Sequence, residues 1–220
     1  ASKYLVSNAE YKAFIDAGGY STERWWTAEG WSWAQYDARG MPRFWRQRED
    51  GSFWLRCMLK EIPMPWSWPV ETNYLEAKAF CNWKSEQTGK PIRLPSEPEW
   101  LRLLDFSETP DTPAWERTPG NLNLEVAASS TPVDLFGFGS GFYDVLGNVW
   151  QHSETPIAGL PGFQVHPLYD DFSTPTFDTK HNIITGGSWI STGNEVTRDS
   201  RYAFRRHFYQ HAGFRYVESD

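Results

Sequence analysis

An α+β fold, irregular and loop-rich, with three or four helices and few short strands, is what this sequence predicts. Three observations lead there. Capped helical segments crowd the first half, the second half is dominated by Gly, Pro, Ser, Thr and Asn with isolated aromatics, and only two short apolar segments read as strands. At 220 residues the chain is expected to form a single domain, 1–220, with its own core.

The first helix is predicted from Ser7-Asn8-Ala9-Glu10, a capping-box pattern that opens a run carrying Tyr11, Phe14 and Ile15 and closes at Gly18-Gly19. A shorter helix is expected after Thr22, around Trp25 and Trp26. The next spans 73–88: Asn73 and Glu76 cap it, Tyr74, Ala77, Phe80, Cys81 and Lys84 follow a helical stripe, and Gly89 suits the left-handed residue beyond its end. Ser96-Glu97-Pro98-Glu99 opens another through Trp100, Leu101 and Leu104. After Phe106 the composition predicts long ordered loops packed by Phe136, Phe138, Phe142, Tyr143, Trp150, Phe163, Tyr169, Phe172 and Phe177, because disordered segments are poor in such rings. Ile183-Ile184-Thr185 and Arg215-Tyr216-Val217, flanked by Gly186-Gly187 and Gly213, read as short buried strands.

Composition excludes several partners. Aromatic residues make up 17% of the chain, 13 of them Trp, so the apolar mass lies in rings that can pack a core or line a site. A net charge of -7 argues against nucleic acid and anionic lipid, both of which need a basic face. No stretch has the roughly 20 apolar residues of a membrane span, and 1–10 lack a secretory pattern, so a cytoplasmic setting is expected. Cys57 and Cys81 are too few for a disulfide framework and are expected as buried thiols.

Three groups of residues could carry chemistry. His207 and His211, four apart, would share a face of a helix, but their segment alternates more than it repeats at 3.6, so structural or substrate-contacting histidines are expected ahead of a metal pair. Arg198, Arg201, Arg205, Arg206 and Arg215 form a dense cluster in an acidic chain. Guanidinium forks bind carboxylates, so either an amino-acid ligand or internal acidic partners would explain them, with at least one arginine left for a ligand. Ser153, Glu154, Asp170, Asp171 and Asp178 are read chiefly as turn-capping residues. Gly137-Phe138-Gly139-Ser140-Gly141 lacks the strand and helix that a nucleophile elbow needs.

Leu94-Pro95-Ser96-Glu97-Pro98-Glu99-Trp100, Asp144-Val145-Leu146-Gly147-Asn148-Val149-Trp150, Gly186-Gly187-Ser188-Trp189 and Ala212-Gly213-Phe214-Arg215 stand in this order along the chain. Together they resemble the signature series of the formylglycine-generating-enzyme (sulfatase-modifying-factor) superfamily, which implies an irregular α+β fold related to C-type lectins. Asn73-Tyr74 with Glu76-Ala77, the segment 166–175 and 186–193 look most like the 5-histidylcysteine sulfoxide synthases of ovothiol biosynthesis, with the ergothioneine sulfoxide synthases as cousins.

That resemblance implies C–S bond formation between cysteine, or γ-glutamylcysteine, and histidine, or trimethylhistidine, with O2 and a non-haem Fe(II). It places the iron on three histidines of a separate DinB-like helical domain. No His-x3-His-x-Glu motif is present here, position 213 being Gly, so the chain is expected to be one piece of a larger enzyme, inactive by itself. The substrate-contacting residues it implies are Trp189, Ser191, Thr192, Arg201, Arg205, Arg206 and His207. Residues 190–206 hold no cysteine, which speaks against formylglycine generation, and no tyrosine precedes Pro161-Gly162-Phe163. Gln151-His152 replaces the usual Glu-Trp, so a structural Ca2+ on that turn would have an amide, a poorer ligand than a carboxylate. A lectin-like binding module without catalysis, and a catalyst built on His207 and His211, are the other readings.

Overall fold

The computed structural model describes residues 1–112 and 119–219. The elements are α1 (Asn8–Asp16), a 3-10 turn (Glu23–Trp25), α2 (Ala28–Asp37), β1 (Trp45–Gln47), β2 (Phe53–Arg56), β3 (Glu61–Pro63), α3 (Tyr74–Thr88), β4 (Ile92–Arg93) and α4 (Glu97–Phe106). Then come β5 (Trp150–Pro156), α5 (Asp170–Ser173), a 3-10 turn (Thr174–Thr176), β6 (His181–Thr185), a 3-10 turn (Gly193–Val196), β7 (Tyr202–Arg205), β8 (Ala212–Gly213) and β9 (Val217–Glu218). Between Phe106 and Trp150 the described chain is loop, as the composition predicts.

The helices begin where short polar side chains can accept from free backbone N–H groups. Asn73 accepts from Glu76 N at 3.0 Å while Glu76 accepts from Asn73 N at 2.9 Å, and Gly89 ends α3 at φ 68°. Glu99 accepts from Ser96 N and Oγ, both 2.8 Å, and from a two-pronged Arg93, which holds its carboxyl down at about 2. At α1 only half of the expected box forms. Ser7 accepts from Glu10 N, while the Glu10 carboxylate is taken by Lys84 at 2.6 Å.

α1, α2 and α3 pack around an aromatic core. Tyr11 stacks on Phe80 at 5.5 Å, and Phe80 meets Phe214 edge-on at 5.3 Å, with Phe14, Trp25, Trp26, Trp45 and Trp83 around them. Each such buried ring contributes about 1.5–3 kcal/mol of transfer free energy. A second cluster joins α4, through Trp100, Leu103 and Leu104, to Val145 and Leu146.

Three small sheets complete the fold: β1-β2-β3 antiparallel, β4 paired with β9, and the sheet β7-β6-β5-β8, in which only β8 runs parallel to its neighbour. The signature turns clasp this sheet. Asn148, left-handed at φ 67°, accepts from Thr131 N and donates to Asp144 Oδ2, while Gly147 N donates to Gly186 O at 2.8 Å and Trp189 N to Asn148 O at 3.1 Å. Glycine is required at 187, where φ is 72° and an added Cβ would lie 2.2 Å from Val196, and at 213, where it would lie 2.6 Å from Val70 O.

The structure corrects four sequence expectations. Helix α2 was not foreseen, because its buried face is only Gly30 and Ala34, too small to register as an apolar stripe. The meander β1-β2-β3 went unseen because its strands have three or four residues. The strand expected at 215–217 shrinks to Val217–Glu218, since Arg215 and Tyr216 leave the ladder where Arg215 turns inward. Cys57 is only partly buried, at the end of the β2–β3 hairpin, whereas Cys81 is buried within α3.

Arg215 lies at the junction of these parts with no exposed surface. It donates to Gln151 Oε1 at 2.7 Å, Tyr143 O at 2.7 Å, Asp144 O at 3.0 Å and Ser2 O at 3.1 Å. Arg215→Met should therefore lower stability by about 3–5 kcal/mol in urea unfolding, since it strands buried acceptors. Arg215→Lys should recover only a minor part of that loss, because one ammonium cannot span four acceptors.

Candidate functional site

Strand β7 lies at the edge of the central sheet, paired with β6 in the register His181↔Arg205, Asn182↔Phe204, Ile183↔Ala203 and Ile184↔Tyr202. Against it opens a cavity of about 720 Å3, walled by residues that include Tyr202, Phe204, Phe208, Ile157, Tyr169, His181, Arg201 and Arg205. Short alternating residues on an edge strand leave one side open, and the loops around 157–177 and 194–200 close over it. His181 is oriented from outside the ring: its Nδ1–H donates to Asp178 Oδ1 at 2.8 Å, leaving Nε2 as the free nitrogen. Asp178 also accepts from Lys180 N, so the turn-capping role expected of it is real, and these donors hold its carboxyl down at about 2. His181, Tyr202 and Phe204 were not singled out in the sequence; the signal was the short alternation of 202–205 next to an apolar strand.

The arginine cluster resolves into separate roles. Arg198 pairs with Asp105. Arg201 grips Glu97 with two prongs, Nε at 2.7 Å and Nη2 at 3.1 Å, and donates to Ala158 O. Arg206 donates to Glu29 at 2.7 Å, Asn182 Oδ1 at 2.8 Å and Thr179 O at 2.9 Å, and lies over Tyr74. Arg215 is consumed in the core. Arg205 alone of the five has no side-chain hydrogen bond or ion pair among the described residues, and it stands on the cavity wall.

The other expected contact residues fall elsewhere. Ser191 is buried, accepting from Ser188 N at 3.0 Å. Thr192 is exposed and starts the 3-10 turn whose Asn194 reaches the cavity wall. His207 is exposed, stacked on the cavity residue Phe208 at 5.2 Å. Trp189 is buried on a different cavity, with its ring 4.8 Å from that of His211. The structure thus brings Arg201 and Arg205 together, puts Arg206 and His207 just beyond them, and separates Trp189.

Ser153 donates to Ile183 O, Glu154 pairs with Lys78, and Asp170 accepts from Asp171 N, so none of these carboxylates converges on a site. Among the described residues, no group of three or more His, Cys, Asp or Glu is gathered to hold a metal ion. Gln151, on the turn where the resemblance raised a Ca2+, donates to Asp144 O and Val145 O and receives Arg215, so its amide is spent on protein partners. No helix among the described residues is long and apolar enough to cross a membrane.

A family model described as the sulfatase-modifying factor enzyme 1-like domain matches residues 1–220. Hercynine oxygenase of Mycobacterium tuberculosis is 32% identical over 199 residues, covering 84% of this chain and 44% of that protein. Hercynine oxygenase of Mycolicibacterium smegmatis is 31% identical with the same coverage. Ergothioneine biosynthesis protein 1 of Schizosaccharomyces pombe is 28% identical over 96% of this chain and 24% of its own length. The chain spans less than half the length of these curated relatives. Among solved structures, PvdO from Pseudomonas aeruginosa superposes with a TM-score of 0.60 at 17% identity, over 99% of this chain and 78% of that one. Treponema denticola variable protein 1 gives 0.62 at 16%, over 96% and 81%; at such identities both speak for the fold alone.

Two histidines, His152 buried and His211 partly exposed, should titrate on opposite sides of the ordinary value of about 6.5. His152 is pushed down to about 4 by burial, its Nε2–H donating to Thr72 O, whereas the Glu71 hydrogen bond raises His211. His152 therefore withdraws stability as pH falls from about 6.5 towards 4. His211 adds stability that is fully present below about 6.5 and is lost as pH rises through its raised value. Imidazole NMR titrations check both, and Glu71→Gln should bring His211 back down.

Proposed function

The chain belongs to the sulfatase-modifying factor enzyme 1-like domain family, and from that premise we propose that it forms the substrate-binding wall of a non-haem iron, O2-dependent sulfoxide synthase acting on a histidine-class substrate. One observation carries the reading: a guanidinium, Arg205, without an ion pair among the described residues, on the wall of a cavity that also presents the aromatic rings of Tyr202, Phe204 and Phe208. Such a fork binds the carboxylate of an amino acid in two parallel hydrogen bonds, while Tyr202, Phe204 and Phe208 offer faces for an imidazole. The relatives named hercynine oxygenase support a histidine derivative as the guest. Cysteine or γ-glutamylcysteine is the sulfur donor in this reading, and ovothiol-type joining to histidine is the finer version of it.

The described residues gather no set of three metal ligands, so in this reading Fe(II) and its three histidines belong to a DinB-like helical domain of the same enzyme. What this chain does is bind and orient. Glu97 and Ala158 fix Arg201 at the cavity edge, and Asp178 fixes the His181 ring so that its free Nε2 can take or hold a proton beside the substrate. Tyr169 and Phe208 on this cavity, and Leu160 and Phe163 on the pocket that shares Ile157, Thr176 and Arg201 with it, are 48–62% exposed, an apolar rim suited to a second domain closing over it.

The test uses the full protein that contains this chain, assayed with cysteine and either histidine or trimethylhistidine under O2. Arg205→Ala should raise KM for the histidine substrate about 10–100-fold, the worth of a charge-assisted hydrogen bond at about 1.5–3 kcal/mol, with iron content unchanged. Arg205→Lys should fall between. An unchanged KM would remove Arg205 from the site, and binding of histidine without turnover in the full protein would favour a binding module.

A further inference from the structure

A second cavity, of about 290 Å3, opens on the other side of the 206–211 segment and shares no wall residue with the β7 cavity. Its walls come from β2 and the hairpin after it (Leu55, Arg56, Met58), from Trp68 and Glu71 ahead of α3, and from Trp189 and His211. Three features set it apart from an incidental crevice.

His211 adopts a left-handed backbone, φ 49°, which a non-glycine residue holds only when its surroundings impose it. Its ring is gripped between Phe44 and Trp189, and its Nδ1–H donates to Glu71 Oε2 at 3.0 Å, so Nε2 is the nitrogen left over. Two polar atoms on wall residues, Trp189 Nε1 and Ser130 Oγ, are buried without a protein partner, a state that native structures seldom leave uncompensated. And Arg56, at the end of β2, is exposed and forms no side-chain hydrogen bond or ion pair among the described residues.

The charges decide the ligand class. Glu71 is spent on His211, so the carboxylate attracts no further cation, and the guanidinium of Arg56 remains as uncompensated positive charge. Beside Ser129 and Ser130, the remaining wall is largely apolar, through Phe44, Leu55, Met58, Trp68 and Trp189. We propose that this cavity is a binding site for a small monocarboxylate with an apolar or aromatic body, the carboxylate accepting from Arg56 and from the Nε2–H of the His211 imidazolium, and the body lying against Trp68 and Trp189. The site is independent of the β7 cavity. An apolar cation, drawn to the aromatic faces, is the competing occupant.

The three methionines of the chain make the test selective, because Met58 alone of them lines this cavity. The intact protein, labelled with 13C-methyl methionine, would be titrated with 3-phenylpropionate, with its neutral amide, and with phenethyl-trimethylammonium. The carboxylate should shift the Met58 methyl signal saturably. The amide should bind at least about tenfold more weakly, and Arg56→Gln, an exposed change that leaves the fold alone, should weaken the carboxylate by a similar factor, equivalent to about 1.4 kcal/mol. Equal binding of the amide, tighter binding of the cation, or no saturation up to about 10 mM carboxylate would overturn the proposal. None of these results bears on Arg205, so failure here leaves the β7 reading standing.

Discussion

A guanidinium buried without a carboxylate partner is the constraint on which the rest of this fold depends. Arg215 makes its hydrogen bonds to three main-chain carbonyls and to the Gln151 side chain, and burial lowers its affinity for a proton to about 10. A charge in that position costs several kcal/mol to desolvate, so it persists only if each N–H meets an acceptor held rigidly in place. The acceptors come from three parts of the chain: the N-terminus at Ser2, the turn at Tyr143 and Asp144, and the start of β5 at Gln151. The residue donating to them lies between β8 and β9. A loop-rich protein with few long elements is thereby tied at one point by contacts 64–213 residues apart in sequence.

From that point the order spreads to the sites. Gln151 is bonded to Arg215 by its oxygen and to the Asp144 and Val145 carbonyls by its nitrogen, so it fixes the turn that Asn148 closes. Asn148 O and the Gly147 N–H then receive the Gly186–Trp189 turn, which sets the exit of β6 and places Trp189 against His211. β6 in turn carries β7, and β7 carries the cavity. The Asp144 carboxyl, raised to about 7 by burial, has one oxygen bonded to Asn148 and one without a partner, so this clasp is held by neutral hydrogen bonds more than by charge.

What could be read in the sequence was what local chemistry decides. The caps at Asn73 and Ser96 and the stop at Gly89 are short-range hydrogen-bond patterns, and they stand where expected; the turn motifs at 144–150, 186–189 and 212–215 marked the clasp. What could not be read depends on partners far away. Helix α2 buries only a glycine and an alanine, and β1-β2-β3 exist because three short strands find one another. The same holds for the arginines. Arg201 and Arg205 are the same residue type four positions apart, yet one is spent on Glu97, 104 residues away, and the other faces a cavity with no ion pair among the described residues. No periodicity separates them, because the difference lies in which carboxylate the fold brings near.

The two cavities are divided by a single short connection, and its fastening explains how they keep separate identities. Between Arg205 at the end of β7 and His211 before β8, the chain is held to the start of α3 by Arg206 O, which accepts from Tyr74 N at 3.0 Å, and by Tyr209, which donates to Glu76 at 3.0 Å. Glu76 is fully buried, receives Tyr20 as well, and burial pushes its carboxyl up to about 7. Its ionised form is the better acceptor for both phenols, while its burial opposes that charge, so the anchor of this segment balances two opposing effects near neutral pH. On one side of Tyr209 the anchor fixes the turn that presents Phe208 to the β7 cavity; on the other it fixes Phe44, against which His211 stacks. A change at Glu76 would therefore reach both cavities at once, whereas a change at Arg205 or Arg56 touches only one.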